Sequence, residues 1–212
     1  MATTEIDNLT QLFLDGNHIK ALHLLDAQED QSRFGLLKNL FTPTMYKIGE
    51  MWERNEISVA DEHLATGVCD FLLSRMFPIH QNCTSNKKAM FLCIEGEQHS
   101  LGLKMVCSLF EEKGWNTKNF GSSLPLLHAV TYAKSWKPDV IGLSISITYY
   151  LPELKHYINK LSELPHKPTI LVGGRIIEKY KIDSEDAIFL THIDDVNNWL
   201  NTNTKERMDA TS

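Results

Sequence analysis

The spacing of hydrophobic residues changes character close to Pro78. Before that residue, apolar side chains recur every three or four positions, which is typical of helices that bury one face. Short polar connections separate these segments, so they predict a small antiparallel helical bundle. The predicted helices are four, at 8–14, 18–27, 34–52 and 58–77. The last begins with Ser58 as N-cap and Asp61 three positions later, which predicts a capping box.

After Lys88, continuous apolar runs alternate with helical patterns. The predicted strands are five, at 89–95, 115–120, 139–146, 169–174 and 186–190. A strictly alternating order of this kind predicts a parallel sheet with helices on both faces. The predicted fold is therefore α/β, with an N-terminal four-helix bundle followed by a flavodoxin-like or Rossmann-like doubly wound sheet. The predicted boundaries are 1–80 for the bundle, 81–88 for a linker, 89–203 for the sheet domain and 204–212 for a polar tail.

Composition narrows the classes of function. The chain has 212 residues and a net charge of −6, which argues against broad binding to a phosphate backbone. No apolar run approaches the roughly 20 residues that span a bilayer, and the N-terminus does not have the layout of a signal peptide. Four scattered cysteines, with no C-x-x-C pair, predict reduced thiols. These features predict a cytoplasmic protein.

The candidate chemistry begins in the loop after the first predicted strand, with the sequence EGEQHSLG from Glu95 to Gly102. In a doubly wound sheet, ligands bind beyond the carboxyl ends of the strands, where this loop lies. From position alone, His99 is as consistent with an ordinary surface-loop histidine as with a metal ligand. A neutral imidazole ligates transition metals well, and Glu97 could bond its other nitrogen and fix the tautomer.

Two further elements lie at the ends of later strands. Ser144 follows Gly102 after 41 intervening residues, and the pair Gly173–Gly174 follows Ser146 after 26. Gly102 lets the backbone enter a helix without placing a side chain toward a ligand. Ser144 could bond a buried heteroaromatic base, and the glycine pair would allow close approach of a bulky ligand.

Together, Glu97-x-His99-x-x-Gly102, the serines and the glycine pair resemble the cobalamin-binding domain family, which carries D-x-H-x-x-G, S-x-L and G-G at similar separations. The resemblance covers roughly residues 88–200. It implies that cobalamin binds base-off, with His99 displacing the cofactor's own lower base and ligating cobalt. The freed nucleotide tail would then lie between the sheet and its helices.

The chain departs from the family pattern at two positions. Glu97 replaces the usual aspartate, so its hydrogen bond to His99 could be direct or pass through water. Ser146 replaces the usual leucine, which puts the apolar side of the base pocket in doubt but not the ligation. Gln98, between the acid and the ligand, belongs to the predicted cofactor contacts.

The helical half contains Trp52, with Glu62 and His63 ten and eleven positions later. Each has an ordinary structural interpretation, since a tryptophan ending an amphipathic helix is usually core and a glutamate in a first turn complements the helix dipole. Together, W-x9-E-H resembles the helical domain of CarH-type photoreceptors that bind adenosylcobalamin. The resemblance implies that Trp52 caps the adenosyl group, that Glu62 and His63 contact its ribose or a neighbouring subunit, and that Val59 leaves room for the upper ligand.

These features predict a stand-alone light-responsive sensor or regulator rather than an enzyme. It would bind adenosylcobalamin and act through self-association as a dimer or tetramer, through a protein partner, or both. No DNA-binding domain and no membrane segment are predicted in this chain. Glu53 stands where the photoreceptors can carry a histidine that takes the vacated upper site. The alternative is a corrinoid shuttle protein of a methyltransferase system, holding methylcobalamin. A radical isomerase is disfavoured because the chain holds no substrate barrel.

Overall fold

The computed structural model describes residues 2–77, 85–174, 176–180, 182 and 184–205. These residues form two compact units, divided between positions 78 and 79. Half of the predicted linker, residues 81–84, and the end of the predicted tail, residues 206–212, lie outside the described residues. Across the described ranges, no helix has the length and apolarity that crossing a membrane requires.

The first unit is helical, as the apolar spacing predicts. Its helices are α1 Ala2–Leu14, α2 His18–Asp26, α3 Arg33–Leu36, α4 Thr42–Glu53 and α5 Val59–Met76, and a π-helical turn, Leu37–Phe41, joins α3 to α4. Apolar side chains at helical spacing are fully buried in its core, among them Leu9, Phe13, Leu25, Phe41 and Leu72. Their burial supplies the main driving force for the bundle.

The start of α5 is fixed by the predicted capping box. The Ser58 hydroxyl oxygen accepts from the Asp61 N–H at 3.2 Å, and the Asp61 carboxylate accepts from the Ser58 N–H at 2.8 Å. Hydrogen bonds to the Asp61 carboxylate from the Ser58 hydroxyl, at 2.7 Å, and from the Ser58 backbone N–H lower the pKa of Asp61. Two N–H groups that a helix start would leave without partners are therefore satisfied.

The second unit is a five-stranded parallel sheet with helices between successive strands, which confirms the predicted fold class. Its elements are β1 Lys88–Cys93, α6 Leu101–Glu112, β2 Asn116–Asn119, α7 Leu126–Trp136, β3 Val140–Ser144, a 3₁₀ turn Thr148–Tyr150, α8 Leu151–Ser162, β4 Thr169–Gly173, α9 Ile176–Tyr180, β5 Ile188–Leu190 and α10 Ile193–Lys205. β1 begins one residue before the predicted boundary at 89, because Lys88 pairs with Asn116. α10 runs two residues past the predicted boundary at 203.

The strand order β2-β1-β3-β4-β5 places the topological switch point between β1 and β3. In register, Cys93 pairs with Ser144, and Ser144 pairs with Gly173. Three neighbouring strands therefore end in one row. The loops that follow β1 and β3 leave the sheet side by side, which brings residues nearly 50 positions apart into contact.

Gly142 in β3 makes room for a neighbouring aromatic ring. A Cβ atom at Gly142 would lie 2.5 Å from Cδ1 of Phe91 in β1. That ring is fully buried and packs edge-on against Phe110 of α6, with the ring centroids 4.9 Å apart. Because Gly142 has no side chain, the ring of Phe91 in β1 has room to pack against Phe110 of α6.

We expect Gly142→Ala to lower the free energy of unfolding by about 1–3 kcal/mol, because a well-packed core resists an added methyl group. Gly67→Ala is the matched control, since a Cβ there would meet nothing within 4 Å on an exposed face of α5. That control should be neutral or stabilising by up to about 1 kcal/mol, because alanine favours helix over glycine. Urea unfolding of both variants checks this, and equal effects would contradict the role of Gly142.

Candidate functional site

The centre of the candidate site is the fully buried carboxylate of Glu97. Its Oε1 accepts from His99 Nδ1 at 2.6 Å and from the His99 backbone N–H at 2.8 Å. Its Oε2 accepts from the backbone N–H groups of Ser146 at 2.6 Å and Ile147 at 3.2 Å. One side chain therefore joins the loop after β1 to the loop after β3, at the switch point of the sheet.

The protonation of this pair follows from its surroundings. Burial acts to raise the pKa of Glu97, but hydrogen bonds from the His99 side chain and backbone and from the Ser146 backbone outweigh it, and the pKa lies below its usual value. An ionised carboxylate can only accept, so Nδ1 of His99 is the donor. Nε2 is then the ring nitrogen suited to ligating a metal. The His99 side chain is 59% exposed.

The structure shows which hydrogen bonds the residues at the two departures from the family pattern make. The longer glutamate reaches His99 directly, at 2.6 Å, without a bridging water. Ser146 bonds Glu97 through its backbone N–H, which any residue except proline provides. Replacement of the usual leucine by serine therefore leaves this contact intact.

Glu97 occupies the last position of a tight turn that begins at Ile94. The Glu97 N–H donates to the Ile94 carbonyl oxygen at 3.0 Å, and Gly96 has a φ of +87° at the third turn position, where glycine is favoured. The Gly96 N–H in turn donates to Oγ of Ser123 in the loop after β2, at 3.0 Å. Sequence reasoning missed Ser123, because it lies 24 residues from His99 and belongs to no motif.

Two polar groups lie under the loop at the strand ends. Ser144 is buried at the end of β3, as predicted, and its side chain bonds the Cys93 thiol. Burial raises the pKa of Cys93 to about 12, the charge of Glu97 adds to that effect, and the bond from Ser144 opposes it. The thiol therefore stays protonated near neutral pH and is neither a nucleophile nor a metal ligand there.

Gly102, Gly173 and Gly174 differ in the space that an added side chain would find. A Cβ at Gly102, the second residue of α6, would meet nothing within 4 Å, so no atom of the described chain requires glycine there. At Gly173 the nearest atom would be the Leu190 carbonyl oxygen at 3.7 Å. Gly174, with a φ of +139°, would place a Cβ 1.7 Å from the Ile145 carbonyl oxygen. Gly174 is thus required by the chain's own packing, whereas Gly102 leaves space beside His99.

These residues fit a metal macrocycle. A corrin supplies most of the ligands of its cobalt itself and needs one axial ligand from the protein, which an imidazole provides well. His99 is exposed, its Nδ1 is bonded to a buried carboxylate, and Gly102 leaves open space on the adjoining helix. Gln98, between the acid and the imidazole in the sequence, is exposed.

Three candidate residues of the helical unit, Trp52, Val59 and His63, are exposed, and Glu62 is half-buried. Trp52, in the last turn of α4, is 46% exposed and Val59, at the start of α5, is 55% exposed. The core interpretation of Trp52 is therefore wrong. Nδ1 of His63 lies 2.8 Å from Oε2 of Glu62, and Oε1 of Glu62 accepts from Thr66 Oγ1 at 2.8 Å. Glu62 and His63 thus form a second carboxylate–imidazole contact.

His63 also borders an open cavity of about 340 Å³ within the helical unit. His18 and the apolar side chains of Leu64 and Phe71 form other parts of its wall. The His18 ring meets the Phe71 ring edge-on at 5.1 Å.

Comparison with known families gives two matches to this chain. A family profile described as "B12 binding domain" matches residues 87–196, and a second profile with the same description matches residues 5–75. The first covers the sheet with His99, and the second covers most of the helical unit.

Curated relatives are corrinoid proteins. Dimethylamine corrinoid protein 3 of Methanosarcina mazei is 26% identical over 139 residues, which are 61% of this chain and 81% of that protein. Dimethylamine corrinoid protein 1 of Methanosarcina acetivorans is also 26% identical over 139 residues, 61% of this chain and 63% of that protein. Among solved structures, the monomethylamine corrinoid protein of Methanosarcina barkeri superposes with a TM-score of 0.74 at 16% identity, over 95% of this chain and 100% of that one. That likeness shows the shared fold.

The comparisons correct one expectation from the sequence. The prediction of a sensor or regulator rather than an enzyme is wrong, because the relatives that match first are named dimethylamine corrinoid proteins. The HTH-type transcriptional repressor CarH of Myxococcus xanthus is a weaker match, 22% identical over 138 residues, 64% of this chain and 45% of that protein.

We expect Gly102→Leu to lower the affinity for cobalamin at least about tenfold, which is about 1.4 kcal/mol, because the side chain fills the space beside His99. The cofactor-free protein should be no less stable, since leucine favours helix over glycine. Glu112→Leu, at an exposed position of the same helix, is the control. Titration calorimetry with hydroxocobalamin measures the affinities, and unchanged binding by Gly102→Leu would rule out this space as part of the site.

We expect Glu97→Gln to destabilise the cofactor-free protein by about 1–3 kcal/mol at pH 7, because an amide NH₂ would face backbone N–H groups in a buried position. The pKa of Glu97 is lower in the folded than in the unfolded state, so its contribution is present above the unfolded pKa and is lost as pH falls through the folded pKa. The difference between the two proteins should therefore shrink at acid pH. Urea unfolding at several pH values tests this, with exposed Glu95→Gln as control. A difference that does not change with pH would contradict the ionised state of Glu97.

Proposed function

The chain belongs to the B12-binding domain family, and we propose that it is a corrinoid protein that carries a methyl group between partner methyltransferases. The observation that carries this proposal is the Glu97–His99 pair at the switch point of the sheet. Support for the methyl-carrying role comes from the curated relatives, whose names are those of methylamine corrinoid proteins.

In the proposed mechanism, Nε2 of His99 would bind the cobalt of cobalamin in place of the cofactor's own base. The bound cobalt would supply the chemistry of accepting and releasing a methyl group. Glu97 holds the proton on Nδ1 and fixes the ring, which keeps Nε2 in the neutral, ligating form. Gln98 and Gly102 flank the ligand on its own loop and helix.

The ends of β3 and β4 would hold the remainder of the cofactor. Ser144 and Ser146 lie at and just beyond the end of β3, and Gly173 and Gly174 lie at the same edge of β4. The buried hydroxyl of Ser144 is a suitable partner for a polar atom of the cofactor's nucleotide base. A Cβ atom added at Gly173 would meet no atom closer than ordinary van der Waals contact. A ligand can therefore approach this face of β4 closely.

We further propose that the helical unit supplies the contacts to the upper ligand, through Trp52, Val59, Glu62 and His63. A flat indole and a small aliphatic side chain, both exposed, suit a cover for a methyl-sized group. Methylcobalamin, rather than adenosylcobalamin, is then the working form of the cofactor. The partners are proteins that donate and accept the methyl group.

One experiment tests the ligand and the carrier role together. The purified protein is loaded with hydroxocobalamin and incubated, under reducing conditions, with an extract of the producing cells and a ¹⁴C-labelled methyl donor. Monomethylamine, dimethylamine, trimethylamine and methanol are tested in separate arms. We expect label on protein-bound cobalamin with at least one donor.

The same preparation reports on ligation by His99. With ¹⁵N-labelled histidine in the protein, the electron paramagnetic resonance spectrum of the cobalt(II) form should show splitting by one ¹⁵N nucleus, because the nitrogen bound to cobalt comes from the protein and not from the cofactor's own base. His99→Ala should abolish the ¹⁵N splitting, whereas His156→Ala, at an exposed position on α8, should retain it. Unchanged splitting in His99→Ala would refute the ligand, and absence of label with every donor would refute the carrier role.

A further inference from the structure

Tyr157 is a fully buried tyrosine of α8 whose hydroxyl bonds two loops at the carboxyl edge of the sheet. The hydroxyl donates to the carbonyl oxygen of Leu124, at 2.6 Å, in the loop after β2. It accepts from the backbone N–H of Glu95, at 3.1 Å, in the loop after β1. One oxygen atom therefore ties a helix to both loops.

The bond to Glu95 falls at the turn that presents the cobalt-ligand pair. That turn runs from Ile94 to Glu97 and is closed by the bond between their backbone groups, at 3.0 Å. Glu95 occupies its second position and Gly96 its third, with a φ of +87°. An anchor on the N–H of Glu95 fixes the orientation of the turn, and the turn fixes where the carboxylate of Glu97 lies.

The bond to Leu124 secures the loop that runs alongside. The N–H of Leu124 donates to the Cys93 carbonyl oxygen, and the N–H of Ser123 donates to the Glu97 carbonyl oxygen, both at 3.0 Å. Oγ of Ser123 accepts from the Gly96 N–H. The loop after β2 therefore forms hydrogen bonds with the Ile94–Glu97 turn, and Tyr157 holds the same loop at Leu124.

Tyr150 adds a second contact from the same part of the chain. It lies seven residues, about two helical turns, before Tyr157, at the end of the 3₁₀ turn that leads into α8. A Cβ atom at Gly96 would lie 2.6 Å from Cε1 of the Tyr150 ring, so the ring packs directly on the turn. α8 and its leading turn therefore meet the Ile94–Glu97 turn at two consecutive residues.

We propose that Tyr157, with Tyr150 beside it, is a positioning residue for the His99 ligand, acting through the Ile94–Glu97 turn. The inference rests on the proposed function, in which His99 ligates cobalt. Burial raises the pKa of the Tyr157 hydroxyl to about 12, so it remains a donor to Leu124 throughout the physiological range. Neither tyrosine touches the cofactor in this role; each acts by holding the backbone of the turn.

Tyr157→Phe tests the proposal, because it keeps the ring in the core and removes only the shared oxygen. In the cofactor-free protein, we expect hydrogen exchange of the Glu95 and Glu97 amides to quicken about tenfold, as one anchoring hydrogen bond is lost. After loading with cobalamin, we expect affinity to fall about three- to tenfold, less than the roughly 10–100-fold effect of direct outer partners of metal ligands, because Tyr157 acts one step further away through the backbone. The ¹⁵N splitting in the cobalt(II) spectrum should be present in a smaller fraction of molecules.

Two further variants make the result decisive. Tyr132→Phe is the matched control, since the Tyr132 ring packs between Phe120 and Trp136 on α7 and should change neither exchange at the turn nor ligation. Tyr150→Leu probes the same turn from a less buried position, and should reproduce the loss of ¹⁵N splitting even where Tyr157→Phe folds poorly.

The outcomes separate the inference from the function on which it rests. Faster exchange at the turn together with weaker nitrogen ligation supports the positioning role. Unchanged exchange, or faster exchange with full ligation and affinity, overturns it and leaves Tyr157 as an ordinary core residue. Failure of the unsubstituted protein to bind cobalamin overturns the proposed function as well, whereas failure confined to the tyrosine variants does not.

Discussion

The local structure at the switch point depends on one buried negative charge. An ionised carboxylate removed from water costs several kcal/mol unless hydrogen bonds replace its hydration. Glu97 is fully buried, and its two oxygens receive four N–H donors, two from His99 and one each from Ser146 and Ile147. Displacing either loop would leave part of that charge without partners. The loops after β1 and β3 are therefore held together as one structure before any ligand arrives.

Among the described residues, the Glu97–His99 and Glu62–His63 pairs differ in rigidity because they differ in burial. The His99 ring is tied to a fully buried carboxylate, whose position the surrounding backbone determines. The His63 ring is 74% exposed and is paired with a carboxylate that is 26% exposed, so water competes for both groups. A preorganised lower ligand and an adaptable upper contact suit the proposed carrier, which must retain cobalt while its upper ligand changes.

The parts of this structure that depend on the types of side chain could be predicted from the sequence. The buried runs of β1 and β3 have a strand signature, and His99 follows β1 at the place where such folds bind ligands. The donors from Ser146 and Ile147 are backbone groups, which carry no signature of residue type. Tyr157 lies 62 residues from Glu95, and nothing in a single sequence pairs them. The function was predicted wrongly for a related reason, since the W-x9-E-H pattern specifies residue types and not the reaction in which the protein takes part.

The replacement of the usual aspartate by Glu97 has a geometric consequence. Oε1 serves His99 and Oε2 serves the loop after β3, so the carboxylate spans the gap between the two loops. An aspartate would withdraw the carboxylate by about one carbon–carbon bond, roughly 1.5 Å. With the backbone unchanged, bonds of 2.6 Å to both sides could not be kept at once. The added methylene is therefore matched to the separation of β1 and β3 loops in this chain, and the acid, the ligand and the neighbouring loop form one geometric unit.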